Sequence, residues 1–228
     1  MLHSAYGLSY LERKARCGSA ENPPTLLLLH GFASYQNYLF ELTEGFDPRL
    51  DIVSVQAPIR MGPGAYRWFY FDYYETIARR PSEGPTINLS EEATSLTTLM
   101  KFLDGFRTER RPKKLYLLGH SQGGTMALSV ALTRPELISG CAEISGRILS
   151  RAFSNVASKE AIAGLPFFIG HGVDNPIVPI AIGRATGQRL RDLQASLCYR
   201  EYPLGHEITP EVLSDMSDWL SARLDECE

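Results

Sequence analysis

Short unbroken apolar runs alternate along this chain with longer stretches whose apolar residues recur every three or four positions. Thr25–His30 (TLLLLH) is apolar on both faces and bounded by Pro23-Pro24 and Gly31, the pattern of a strand buried inside a parallel sheet. Asp51–Gln56 (DIVSVQ) repeats it and stops at Ala57-Pro58, and Lys114–Gly119, Ser139–Ile144, Pro166–His171 and Leu197–Tyr202 continue the series. Between the second and third of these runs, Leu96, Leu99, Met100 and Leu103 fall on one helical face. That helix is expected to run to about Phe106, with Ser90 as its N-cap and Glu91 and Glu92 in its first turn. Helices are also expected at 122–133, about 179–195 and 210–224. Strands alternating with helices predict an α/β fold with a mostly parallel central sheet and helices on both faces. No repeat and no linker-like stretch interrupts the order, so residues 1–228 are expected to form a single domain.

Composition narrows the function classes. The 228 residues carry a net charge of −3, which suggests no general attraction to nucleic acid or to an anionic membrane surface. The only basic run, Arg107 to Lys114, fits cations meeting a helix C-terminus and then a solvated turn. Leu26–Leu29 is far too short to span a bilayer, and MLHSAYGLSY lacks a basic region followed by an apolar one, so no secretory signal and no stable membrane insertion are expected. Four scattered cysteines (Cys17, Cys141, Cys198, Cys227) form no CxxC pair, as in free thiols of a reducing, cytoplasmic setting. A homodimer is compatible with this composition.

The chemistry concentrates at Gly119-His120-Ser121-Gln122-Gly123, a G-x-S-x-G run between an expected strand and an expected helix. A serine on a strained strand-to-helix turn projects its hydroxyl above the sheet. The positions two before and two after it press on neighbouring backbone, hence glycine at both. A serine hydroxyl needs a base. Of five histidines, His3 lies in a terminus expected to be mobile, and the side chain of His120 leaves the turn in another direction. His30, His171 and His206 each follow or end a strand, where ligands bind in open parallel sheets. His30 and His171 precede glycines and read mainly as residues that pin their loops. His206 comes last, in the loop PLGHE. An orienting acid is expected between Ser121 and His206 at another strand end. Asp174 fits, whereas Asp192 sits in a helical run and Glu207 suits a helix first turn.

The chain resembles the α/β-hydrolase superfamily, and within it the phospholipase/carboxylesterase group that includes the acyl-protein thioesterases. The matching stretches are LLLLHGF (26–32), QAP (56–58), WFYFD (68–72), GHSQGG (119–124), HGVDNPIVP (171–179) and GHEI (205–208). The run H-G-x-x-D-x-x-V-P discriminates most. The resemblance implies Ser121 as nucleophile, Asp174 and His206 as its partners, and the amides of Phe32 and Gln122 as the oxyanion hole.

The expected function is serine carboxylesterase action on a small-molecule ester, with short or medium acyl groups, no metal and no organic cofactor, and activity fading below about pH 6.5 as histidine protonates. Rival readings are an acyl-protein thioesterase or lysophospholipase, a hydrolase of a carbon–carbon or amide bond, and an inactive binding protein on the same fold. Two features depart from the group and bear on substrate. The segment Tyr66 to Tyr74 is unusually aromatic, and 60–89 reads either as a flap over the site, with Trp68 as a substrate contact, or as satellite core packing. Arg147, after Ser145-Gly146, either binds an acidic substrate group or makes a surface salt bridge.

Overall fold

The computed structural model describes residues 2–17, 21–72 and 87–226. Ten strands and seven α-helices are found there. In chain order they are β1 (Leu2–Ala5), β2 (Leu8–Arg13), β3 (Thr25–Leu29), α1 (Asn37–Leu42), β4 (Asp51–Val55), β5 (Ile59–Gly62), β6 (Ala65–Arg67), α2 (Leu89–Arg110), β7 (Leu115–His120), α3 (Gln122–Thr133), β8 (Gly140–Ile144), α4 (Ser150–Ser154), α5 (Lys159–Ile162), β9 (Pro166–Gly172), α6 (Ile180–Asp192), β10 (Ser196–Tyr202) and α7 (Pro210–Asp225).

Eight strands form one sheet in the order β1-β2-β4-β3-β7-β8-β9-β10. The six from β4 to β10 run parallel, while β1 pairs with β2 and β2 with β4 antiparallel. Alternate residues of each central strand feed two separate cores. Leu27, Leu29, Leu117 and Phe167 join Leu99 and Phe102 of α2 and the fully covered α3 on one face. Leu26, Leu28, Leu118 and Phe168 join Val212, Met216 and Trp219 of α7 on the other. Covering both faces is what makes these strands read as unbroken apolar runs.

Two expectations change. The α2 N-cap is Asn88, two residues before Ser90, and its side-chain oxygen accepts from the Ser90 and Glu91 amides. His3 is held in β1 and stacks on Tyr10 with ring centroids 5.1 Å apart, rather than lying in a loose terminus. Of the aromatic segment 60–89, a small hairpin, β5-β6, and residues up to Asp72 are seen, and the rest of the expected flap, 73–86, lies outside the described residues.

Candidate active site

Ser121 follows the last residue of β7 and precedes the first of α3, with φ 56° and ψ −116°. A left-handed φ on a non-glycine residue stores roughly 1–3 kcal/mol of strain and persists only when its surroundings enforce it. Here they do. The Ser121 amide donates to the Ile144 carbonyl at the end of β8, 2.9 Å away. A Cβ added to Gly123 would lie 1.8 Å from the Leu29 carbonyl oxygen, and one on Gly119 would lie 2.3 Å from the Gly123 backbone. The two glycines therefore let α3 start hard against β3 and β7, which is the steric role expected of them.

The loop after β10 brings His206 over this turn. Its Nε2 lies 2.9 Å from Ser121 Oγ. The loop is held partly by His120, whose Nε2–H donates to the His206 carbonyl at 2.9 Å, so the side chain of His120 turns toward the site rather than away from it. His30 and His171 pin other loops. His30 donates from Nδ1 to the Gly31 carbonyl (2.8 Å) and accepts the Ala57 amide at Nε2 (3.0 Å). His171 donates from Nε2 to the Val178 carbonyl (2.7 Å).

The expected acid is displaced. Asp174 is exposed on the rim of the cleft, its amide donates to the Leu204 carbonyl, and its carboxylate makes no hydrogen bond among the described residues. The neighbour of His206 Nδ1 is Asn175, buried, with Nδ2 at 3.0 Å and Oδ1 at 3.1 Å. Oδ1 also accepts the Ile177 and Val178 amides (3.0 and 2.9 Å), and Nδ2 donates to Ser145 Oγ (3.0 Å), which fixes the orientation of the amide. The signal was present in the chain. In H-G-x-x-D-x-x-V-P counted from His171, the acid position is 175, and Asn175 occupies it; the adjacent aspartate drew the assignment one residue too early.

Burial and the absence of a carboxylate partner set the electrostatics. Burial first, then the neighbouring His120 and His171, push the His206 imidazole down to about 3 from its ordinary 6.5. Beneath the site, burial pushes the Glu143 carboxyl up to about 8 even though it accepts the Gly146 amide.

The two amides expected to hold an oxyanion flank Ser121. Phe32 follows β3 and Gln122 opens α3, and neither backbone N–H has a protein acceptor among the described residues. The Gln122 side chain acts as a clamp, accepting the Trp68 amide (3.1 Å) and donating to the Phe69 carbonyl (2.7 Å). Trp68 itself is 0% exposed, and its indole N–H donates to the His30 carbonyl at 2.9 Å. It is therefore a buried strut and not a wall of the site, correcting its expected substrate contact. Phe69 and Phe71 line the space instead.

Two connected spaces open at Ser121. A cleft of about 720 Å³ is bordered by Phe32, Tyr38, Ser121, Asp174 and His206. A recess of about 30 Å³ is bordered by Ser121, Gln122, Thr125, Arg147 and Val178. Phe71 and Ile177 line both.

The family model described as phospholipase/carboxylesterase matches residues 13–224. Acyl-protein thioesterase 1 of Gibberella zeae is 32% identical over 116 residues, 50% of this chain and 49% of that one. Acyl-protein thioesterase 1 of Saccharomyces cerevisiae is 27% identical over 217 residues, covering 88% and 92%. This chain spans about half the length of the Gibberella protein and of two plant proteins named as probable carboxylesterases, 49%, 44% and 48% respectively. The crystal structure of esterase PE8 superimposes with a TM-score of 0.77 at 25% identity, over 94% of this chain and 98% of that one. Because the matched span includes every parallel strand of the sheet, the chain belongs to the phospholipase/carboxylesterase family of α/β-hydrolase fold.

Proposed function

We propose that this protein is a serine carboxylesterase that hydrolyses short- to medium-chain acyl esters through an acyl-enzyme at Ser121. The observation that carries this is the 2.9 Å approach of His206 Nε2 to the hydroxyl of a serine strained onto a strand-to-helix turn. Nε2 takes the Ser121 proton as Oγ attacks the ester carbonyl. The resulting oxyanion rests on the Phe32 and Gln122 amides. The imidazolium then gives its proton to the leaving alcohol, and water activated by the same Nε2 releases the acid and restores Ser121.

Asn175 takes the place of the expected acid. When Oδ1 accepts Nδ1–H, Nε2 is left as the base. Being neutral, Asn175 stabilises the imidazolium less than a carboxylate would. That difference supports a second reading, a slow or inactive hydrolase that has kept the fold. The thioesterase alternative rests on the names of the relatives.

Ser121→Ala is expected to keep the fold and to lower the turnover of p-nitrophenyl esters by about three powers of ten or more. Equal turnover by the variant contradicts the proposal. An acyl-length series of these esters set against acyl-thioester peptides separates esterase from thioesterase.

A further inference from the structure

Arg147 borders the recess beside Ser121 and has no counter-ion among the described residues. Its backbone amide contacts Thr125 Oγ1 at 3.3 Å, and its guanidinium has no hydrogen bond or ion pair among the described residues. Glu143 accepts the Gly146 amide, and Glu92 pairs with Arg151 at 3.1 Å. Arg147 is half-buried, and that burial pushes the guanidinium down to about 10 from 12.5. An arginine held this way is partly desolvated and unpaired, and an incoming anion can give it short charge-assisted bonds.

The place of Arg147 says which part of a substrate it would meet. It lines the small recess together with Ser121 and Gln122, and His206 does not border that recess. His206 borders the large cleft. The leaving alcohol must take its proton from His206, so the alcohol occupies the cleft. The recess, bordered by Ser121 and Gln122 and not by the base, is left for the acyl group. Arg147 and Ser121 border the same recess, so an acyl chain that joins the ester carbonyl to a carboxylate at Arg147 is short.

Resting on the esterase chemistry proposed above, we infer that Arg147 is a specificity-determining residue that selects acyl groups ending in a carboxylate, so that the preferred substrates are monoesters of short dicarboxylic acids.

The test compares p-nitrophenyl hydrogen glutarate with p-nitrophenyl valerate, which has nearly the same length and no charge. The wild-type protein is expected to favour the anionic ester at least about tenfold in kcat/KM. Arg147→Gln is expected to bring the ratio to one or below, chiefly through KM, and Arg147→Lys to restore part of it. A wild type that favours the neutral ester, or an Arg147→Gln variant that keeps the wild-type ratio, overturns the inference. A binding arm keeps the two proposals separable. Calorimetry on Ser121→Ala should show monomethyl glutarate binding more tightly than methyl valerate, with the preference gone in Ser121→Ala/Arg147→Gln. If that preference holds while the wild type turns over neither ester, the subsite stands and the esterase reading fails. If the preference is missing, the subsite fails whatever the turnover.

Discussion

Asn175 offers His206 two bonds of nearly equal length, 3.1 Å to Oδ1 and 3.0 Å to Nδ2. If Nδ1–H donates to Oδ1, Nε2 is free to accept the Ser121 proton. If Nδ2–H donates to Nδ1, the proton moves to Nε2 and the base is blocked. A carboxylate leaves only the first choice, and an amide in this role lowers turnover by up to about 10⁴ in a triad of this kind. The partners around Asn175 are ready for a carboxylate: the Ile177 and Val178 amides already donate, and the Ser145 hydroxyl can turn to donate. Asn175→Asp is therefore expected to raise kcat/KM for esters by about ten- to a thousandfold. The pH profile adds a second readout. With His206 near 3 the wild type keeps its base neutral well below pH 6.5, which moves the acid limb of kcat/KM below the expected value. The new aspartate should bring that limb back to about pH 6.5 or higher by stabilising the imidazolium. A variant with unchanged rate and limb contradicts the role given to Asn175. At this scale the pairing of Ser121 with His206 was legible, since each combines a rare local pattern with a strand end. The imidazole partner was not, because an aspartate beside the correct position satisfied the chemistry sought. The fate of Trp68 was illegible for another reason: an indole can wall a cavity or fill a core, and only the clamp from Gln122 and the bond to His30 decide it.

At the scale of elements, the strands that build the site were the easiest to read. Thr25–Leu29, Asp51–Val55, Leu115–His120 and Gly140–Ile144 are covered on both faces, so burial itself writes an unbroken apolar run. The β1-β2 hairpin escaped notice because at the sheet edge only Leu8 and Tyr10 of its residues are buried, and His3, Ser4 and Ser9 dilute the pattern. The short helices α1, α4 and α5 have six, five and four residues, too few for a helical period to show. The start of α2 was misplaced by two residues because Ser90-Glu91-Glu92 imitates a cap and first turn, while Asn88 does the capping. What element order could predict was convergence: β3, β7, β9 and β10 all end on the same side of a parallel sheet. The loops that follow them carry Phe32, Ser121, Asn175 and His206.

Over the whole molecule, buried titratable groups set a pH window for stability. The histidines His30 and His206 are pushed down to about 4 and about 3, and burial also lowers His120 and His171. Unfolded histidine binds its proton near 6.5, so below that pH the unfolded chain holds more protons and stability falls on acidification. Glu143 acts in the opposite sense. Its folded value of about 8 lies above its unfolded 4.5, so the folded chain holds the extra proton and stability falls as pH rises through that interval. Up to about 6.5 the four histidines outweigh one glutamate, and above it Glu143 acts alone. The melting temperature is therefore expected to peak near pH 6.5 and to decline toward pH 8, by an amount equivalent to about 2 kcal/mol. Glu143→Gln should remove the alkaline decline, and a wild-type melting temperature that still rises from pH 6.5 to 8 contradicts this account.

The central claim is that Ser121 is the atom-bearing nucleophile and His206 its base, and trapping the covalent intermediate tests it most directly. Intact-mass spectrometry after treatment with a fluorophosphonate, followed by peptide mapping, should show one adduct per chain located on Ser121, absent from Ser121→Ala and strongly slowed in His206→Ala. A folded wild-type protein that takes up no adduct, or takes it up at another residue, contradicts the account.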